Sequence, residues 1–108
     1  MKVEDLHRPW IAAFFVFCAA ALAPAVVRAD EAADRKAEAQ RVFAEGQAAF
    51  DKGDATTGCR LMRKSLKLFA VANALFNVAQ CDEQDGKLAS ALAHWQRGLL
   101  LSMAGGRR

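Results

Sequence analysis

At 108 residues, 54% of them apolar and with a formal charge of +3, the chain has room for one small domain. From residue 30 onward, 12 basic side chains stand against 10 acidic ones, a net of +2 that is too weak and too evenly mixed to argue for nucleic acid. Tyrosine is absent and Trp10 and Trp95 are the only tryptophans, which argues against base stacking on a run of aromatics.

Met1 to Ala29 reads as an export signal. Lys2 and Arg8 supply a positive start, diluted by Glu4 and Asp5, and the run from Trp10 to Ala23 is apolar throughout. Pro24 ends that run, and Val27-Arg28-Ala29 places short or small residues where a signal peptidase reads them before Asp30. The alternative is an uncleaved anchor, since residues 10–27 are about the minimum length for a bilayer span. That stretch is then the chain's one contact with a membrane. Cys18 follows Phe15-Val16-Phe17, which is not a lipidation sequence. Both readings put Asp30 onward outside the cytoplasm, in the periplasm or beyond the cell, or held at the inner membrane.

Four helices are predicted after that boundary. The first runs from Asp30 to Phe50, with acidic Asp30, Glu31 and Asp34 in its first turns, where the helix dipole favours them. Val42, Phe43, Gly46, Ala49 and Phe50 make its inner face. Gly53 suits the left-handed conformation that closes a helix, and Asp54 caps the next. Helix two spans about Ala55 to Phe69, with Gly58, Cys59, Met62, Ser65, Leu66 and Phe69 on one side. Arg60, Arg63, Lys64 and Lys67 on the other side read as a solvated face. After a break near Ala70 to Ala72, with Asn73 as a cap, helix three carries Leu75, Phe76, Val78 and Ala79. A turn at Asp85-Gly86 leads to helix four, where Leu88, Ala91, Leu92, Trp95, Gly98 and Leu99 recur at spacings of three and four. So short a link sets the last two helices antiparallel, stripe against stripe. Residues 102–108, ending in two glycines and two arginines, read as a frayed tail.

Laying Gly53 on Gly86 gives a constant offset of 33, under which Val42 falls on Leu75, Phe43 on Phe76, Gly46 on Ala79, Gln47 on Gln80, Gly58 on Ala91, Ser65 on Gly98 and Leu66 on Leu99. Small residues match small and large match large, and a two-helix period in the low thirties marks a solenoid. With Val42, Gly46, Gly53-Asp54, Gly58, Met62 and Ser65 in one pair and Leu75, Ala79, Gly86-Lys87, Ala91, Trp95 and Gly98 in the other, the chain resembles a tetratricopeptide repeat over residues 37–101. It departs from that pattern at Ala49 and Asp82, where a tyrosine is usual, and lacks a proline between the repeats. The second pair, with Asn77-Val78-Ala79-Gln80-Cys81 and Leu88-Ala89-Ser90-Ala91, looks like a version found in secreted bacterial proteins. The resemblance implies an all-α fold, two helix pairs in a short right-handed solenoid over residues 30–101. It also implies a concave groove for a protein or peptide, mapped here to Phe43, Gln47, Phe50 and Asp51, then Phe76, Asn77, Gln80, Glu83 and Gln84. Asn77 matches the asparagine of repeats that clamp a peptide C-terminus, but the lysines completing such a clamp are absent.

Little points to chemistry. Cys59 and Cys81 either form a disulfide closing a loop of about 22 residues, worth about 3 kcal/mol, or stay as two buried apolar thiols. His94 reads as exposed and uninvolved. Asp82, Glu83 and Asp85 read as a solvated helix end, because the ligand spacing of a calcium loop is missing. No metal site, cofactor motif or catalytic constellation is expected, and the rival class, a secreted thiol-dependent redox protein, requires a reactive thiolate at Cys59 or Cys81. Leu99, Leu100, Leu101 and Met103 are expected to leave apolar surface uncovered, a candidate surface for self-association into a homo-oligomer. The expected function is a non-catalytic protein-interaction or assembly module of the bacterial envelope, alternatively a membrane-anchored scaffold.

Overall fold

A computed structural model describes the backbone of residues 4–106 and the side chains of residues 28–106. The described residues are all-helical: α1 (Glu4–Asp51), α2 (Ala55–Leu68), α3 (Ala72–Gln84) and α4 (Leu88–Gly106). The chain divides into two units, Met1–Asp34 and Arg35–Arg108. In the first, the described side chains from Arg28 to Asp34 are exposed, apart from half-buried Ala32. The signal or anchor reading of residues 1–29 rests on side chains 1–27, which lie outside the described ones. Among the described residues no helix is long and apolar enough to cross a membrane.

Three boundaries differ from those predicted. The first helix begins at Glu4 and not at Asp30, so Asp30, Glu31 and Asp34 sit in its interior and not at its positive end. The last continues through Ser102, Met103 and Ala104 to Gly106, so residues 102–106 are not a frayed tail. Leu100, Leu101, Met103 and Ala104 are strong helix formers, and no turn residue intervenes before Gly105. The cap of α3 is Val71, whose extended backbone already makes the reversal, and Asn73 lies inside the helix.

The two helix-to-helix turns share one hydrogen-bond pattern. Gly53 and Gly86 both have positive φ, 79° and 74°. At the first turn the amide of Gly53 donates to the Phe50 carbonyl and that of Asp54 to the Ala49 carbonyl, both at 2.9 Å. At the second, Gly86 donates to Glu83 at 3.1 Å and Lys87 to Asp82 at 2.8 Å. Each pair is a Schellman closure, which satisfies orphan carbonyls at the helix end and needs a residue without a Cβ penalty at the left-handed position. Every one of these bonds recurs 33 residues later. Asp54 then caps α2, its Oδ1 accepting from the Thr57 amide at 3.1 Å.

The core of the second unit is small and rich in alanine: Ala39, Val42, Ala49, Met62, Ala74, Leu75, Val78, Ala79, Cys81 and Ala91 are buried. Small residues let the helices approach. A Cβ on Gly58 would lie 2.7 Å from the Phe50 ring, and one on Gly98 would lie 2.4 Å from the Phe76 ring. Ser65 is buried on α2, and its hydroxyl donates to the Ala39 carbonyl of α1 at 2.8 Å. The stripe predicted on α4 is only half used. Ala91 and Gly98 are buried against α3, whereas Leu88, Leu92 and Leu99 are exposed.

Candidate functional site

Between α1 and α3 runs a trough in three continuous segments. One end is lined by Lys36, Ala39, Gln40, Phe43, Ser65, Phe69, Val71 and Asn73. The middle shares Phe43 and Asn73 with that end and adds Gln47, Phe76, Asn77 and Gln80. The far end shares Gln47, Asn77 and Gln80 with the middle and adds Phe50, Ala55, Cys81 and Gln84. Phe43, Phe50 and Phe76 are half-buried, so each ring serves the core on one side and the trough on the other. At the first end, Lys36 Nζ lies 5.5 Å from the centre of the Phe69 ring, a cation–π contact.

The polar lining is almost all amide. Asn77 Nδ2 donates to the Asn73 carbonyl at 2.8 Å, which orients its side-chain oxygen. Among the described residues Gln47, Gln80 and Gln84 make no side-chain hydrogen bond. Their spacing follows one rule: on α3, Asn73, Asn77, Gln80 and Gln84 recur at four, three and four, one helical face. Gln84 is already among the positions the resemblance maps to the groove; Asn73, expected as a cap, joins the row, and the four-three-four spacing is the signal for it. Glu83 does not belong to the trough. It sits one position off that face and accepts from Trp95 Nε1 on α4 at 2.8 Å.

The end of α3 is a polar hub and not a solvated helix end. Asp82 is buried, with its side chain 2% exposed. Its Oδ1 accepts from Arg63 Nη1 of α2 at 2.8 Å, and its Oδ2 lies 2.7 Å from His94 Nδ1 of α4. Arg63 also reaches Asp85 at 3.5 Å. His94 is therefore engaged, and Arg63 has left the solvated face assigned to it. Burial pushes the Asp82 carboxyl upward, but the hydrogen bonds from Arg63 and His94 and the positive charge beside it prevail and hold it below the ordinary carboxylate range. Arg63, Leu66, Lys67, Val78, His94 and Arg97 line a cleft on this side of the molecule. Nothing in the spacing of residues 63, 82 and 94 announces this hub. The one hint was a carboxylate at the position where the repeat pattern has a tyrosine.

Cys59 of α2 and Cys81 of α3 are joined by a disulfide, with 5.9 Å between their Cα atoms. The reading of two free apolar thiols does not hold, and neither sulfur is a free nucleophile. Both cysteines face the α2–α3 contact, one residue before Asp82 in the case of Cys81. Comparison with protein-family models, with curated proteins and with solved structures finds no match.

Proposed function

We propose that the chain is an exported, non-catalytic protein-interaction module of two tetratricopeptide-like helix pairs, which holds an extended peptide segment in the trough between α1 and α3. The observation that carries this reading is the amide row Asn73, Asn77, Gln80 and Gln84 facing Gln47 across half-buried phenylalanines. Such a surface offers paired donors and acceptors at low charge, which suits the backbone of a neutral segment, and apolar pockets for its alternate side chains. From Asn73 to Gln84 the row rises about 17 Å at 1.5 Å per residue, enough for about five residues of extended chain. The matching hydrogen bonds at the two turns support the repeat assignment. The Cys59–Cys81 bridge supports an oxidising compartment, as the signal-like first 29 residues do, and so a place in the bacterial envelope or outside the cell.

Two experiments test the reading. Display of a random peptide library against the full chain should return binders, and the best of them should lose at least tenfold in affinity on Asn77→Ala with Gln80→Ala. Binders indifferent to both substitutions, or none at all, would refute the trough as the site. N-terminal sequencing of the protein recovered from its producing cell should begin at Asp30. An intact Met1 would replace the exported module with a membrane-anchored scaffold.

A further inference from the structure

The outer face of α4 carries a second surface, independent of the trough. Leu88, Leu92, Leu99 and Met103 are each more than half exposed, and with Leu100 they leave the longest apolar strip among the described residues. At 100° per residue these four fall within about 60° of arc, with Trp95 on the edge. The spacing from Leu88 through Leu92 and Trp95 to Leu99 is four, three, four, the seam of a paired helix.

The strip is palindromic. Leu88 and Met103 are equidistant from the point between Trp95 and Gln96, and so are Leu92 and Leu99. A two-fold axis through that point sets Leu88 against Met103 of a second copy, Leu92 against Leu99, and Trp95 against Gln96. An isologous interface needs a patch that complements itself on reversal, and a strip made for an unrelated partner has no reason to show it. The electrostatics agree. Arg97 is the only permanently charged residue of α4, and it lines the cleft with Arg63 and Lys67 instead of the strip. Within Leu88–Gly106, two copies therefore meet without like charges face to face.

We infer that α4 pairs with α4 of a second copy, antiparallel, about a two-fold axis between Trp95 and Gln96. Each of the four strip side chains exposes roughly 100 Å² of apolar area, so with their flanks about 500 Å² per copy is covered. The resulting total of about 1,000 Å² lies at the low end for specific association, so the dimer is reversible.

The test uses the full chain in mild detergent with Cys18→Ser, so that the native bridge is the only other cysteine pair. Leu92→Cys and Leu99→Cys are prepared separately and oxidised alone and as an equimolar mixture. Antiparallel pairing brings residue 92 to residue 99 of the other copy, while two residues 92 lie about 10 Å apart along the helix. Covalent dimer should form at least tenfold faster in the mixture than in either variant alone. It should disappear when both chains also carry Leu88→Glu and Met103→Glu, exposed changes that leave the thermal melting of the monomer in place. Clustering through residues 10–23 cannot imitate this, because it has no preference between 92–92 and 92–99 links. Equal cross-linking in the single variants, no cross-link in the mixture, or a cross-link that survives the two glutamates would each overturn the inference.

Discussion

Replacing Arg63 by methionine keeps an unbranched apolar stem and removes the cation that Asp82 depends on. Asp82 is then a carboxylate with a 2% exposed side chain whose remaining partner is His94, at 2.7 Å. Removing one partner of a buried pair costs about 3–5 kcal/mol when the charge left behind has no outlet. Here His94 supplies part of one, so about 3 kcal/mol is expected. Asp82→Asn removes the charge instead. Arg63 and His94 are 34% and 29% exposed and can turn to water, and the amide still bonds to both. What is lost is the charge-assisted share of two hydrogen bonds, about 1.5 kcal/mol together. The partner nearer the solvent should thus be the costlier one to remove, by about a factor of two. At about 4–8 °C per kcal/mol for a domain of this size, the melting point should fall by roughly 12–24 °C for Arg63→Met and 6–12 °C for Asp82→Asn. Circular dichroism melts of the full chain at pH 7 with the disulfide intact read both. The pH dependence follows with its sign. The folded carboxyl titrates below its unfolded value, near 3.9, so its contribution is complete above that value and is lost as pH falls through the lowered one. Asp82→Asn should flatten this acid limb, while Glu38, held low by its hydrogen bond from Arg41, and Asp54, held low by Thr57, keep a residual slope. An Arg63→Met protein at least as stable as Asp82→Asn would refute the reasoning, because Asp82 would then not rely on that cation.

Other expectations follow from single contacts. Reducing the Cys59–Cys81 bridge frees a loop of 22 residues, which on the chain-entropy argument costs about 3.4 kcal/mol; melting with and without reductant should differ by roughly 15–25 °C. Gly98→Ala forces a Cβ against the Phe76 ring and should destabilise by about 1 kcal/mol net, overpacking of about 2 kcal/mol outweighing better helix propensity. Gly105→Ala, with nothing within 4 Å of its added Cβ, should be neutral or slightly stabilising, and urea titrations of both glycine variants beside the parent chain check the pair. Lys87 stands where Asp54 caps the preceding pair, so Lys87→Asp should raise stability by about 0.5–1 kcal/mol if the two turns are equivalent, and a loss would argue that they are not.

Helical class, the two turns and the positions of small residues could be read from the sequence because each rests on local chemistry. Gly53 and Gly86 announce their turns, and Gly58 and Gly98 mark where rings lie close. The groove positions come only with the resemblance to the repeat family: Asn77 and Gln80 share one face of α3, and Gln47 stands on α1. Misreadings fell where a residue's role depends on a partner far away in the chain. His94 lies 12 residues from Asp82 and Arg63 lies 19, on different helices, so each looked like an ordinary surface residue. Glu83 was misplaced for the opposite reason: its spacing borders the groove face, but Trp95 draws it to α4. The start of α1 escaped because an apolar run ending at a proline resembles a boundary whether or not the backbone turns there.

These long-range links explain how so small a core holds. Met62, Leu75, Val42 and Val78 are the largest apolar side chains fully buried, and most of what surrounds them is alanine, each contributing little apolar area. Below about 80 residues such a core leaves a thin margin. The fold adds three attachments that need no apolar volume: the Ser65 hydroxyl on the Ala39 carbonyl ties α1 to α2, the disulfide ties α2 to α3, and Asp82 ties α2, α3 and α4. The last two lie next to each other on α3, at Cys81 and Asp82. Asp82 fixes the back of that helix and the Cys81 bridge fixes its flank beside the far end of the trough, while Asn73, Asn77, Gln80 and Gln84 occupy another face. An amide row can hold a fixed register toward a peptide only if its helix does not slide, and α3 is anchored at its C-terminal end by these two neighbouring residues. If the trough holds a peptide as proposed, reducing the bridge or breaking the hub should therefore weaken that binding even at temperatures where the helices persist, through loss of register.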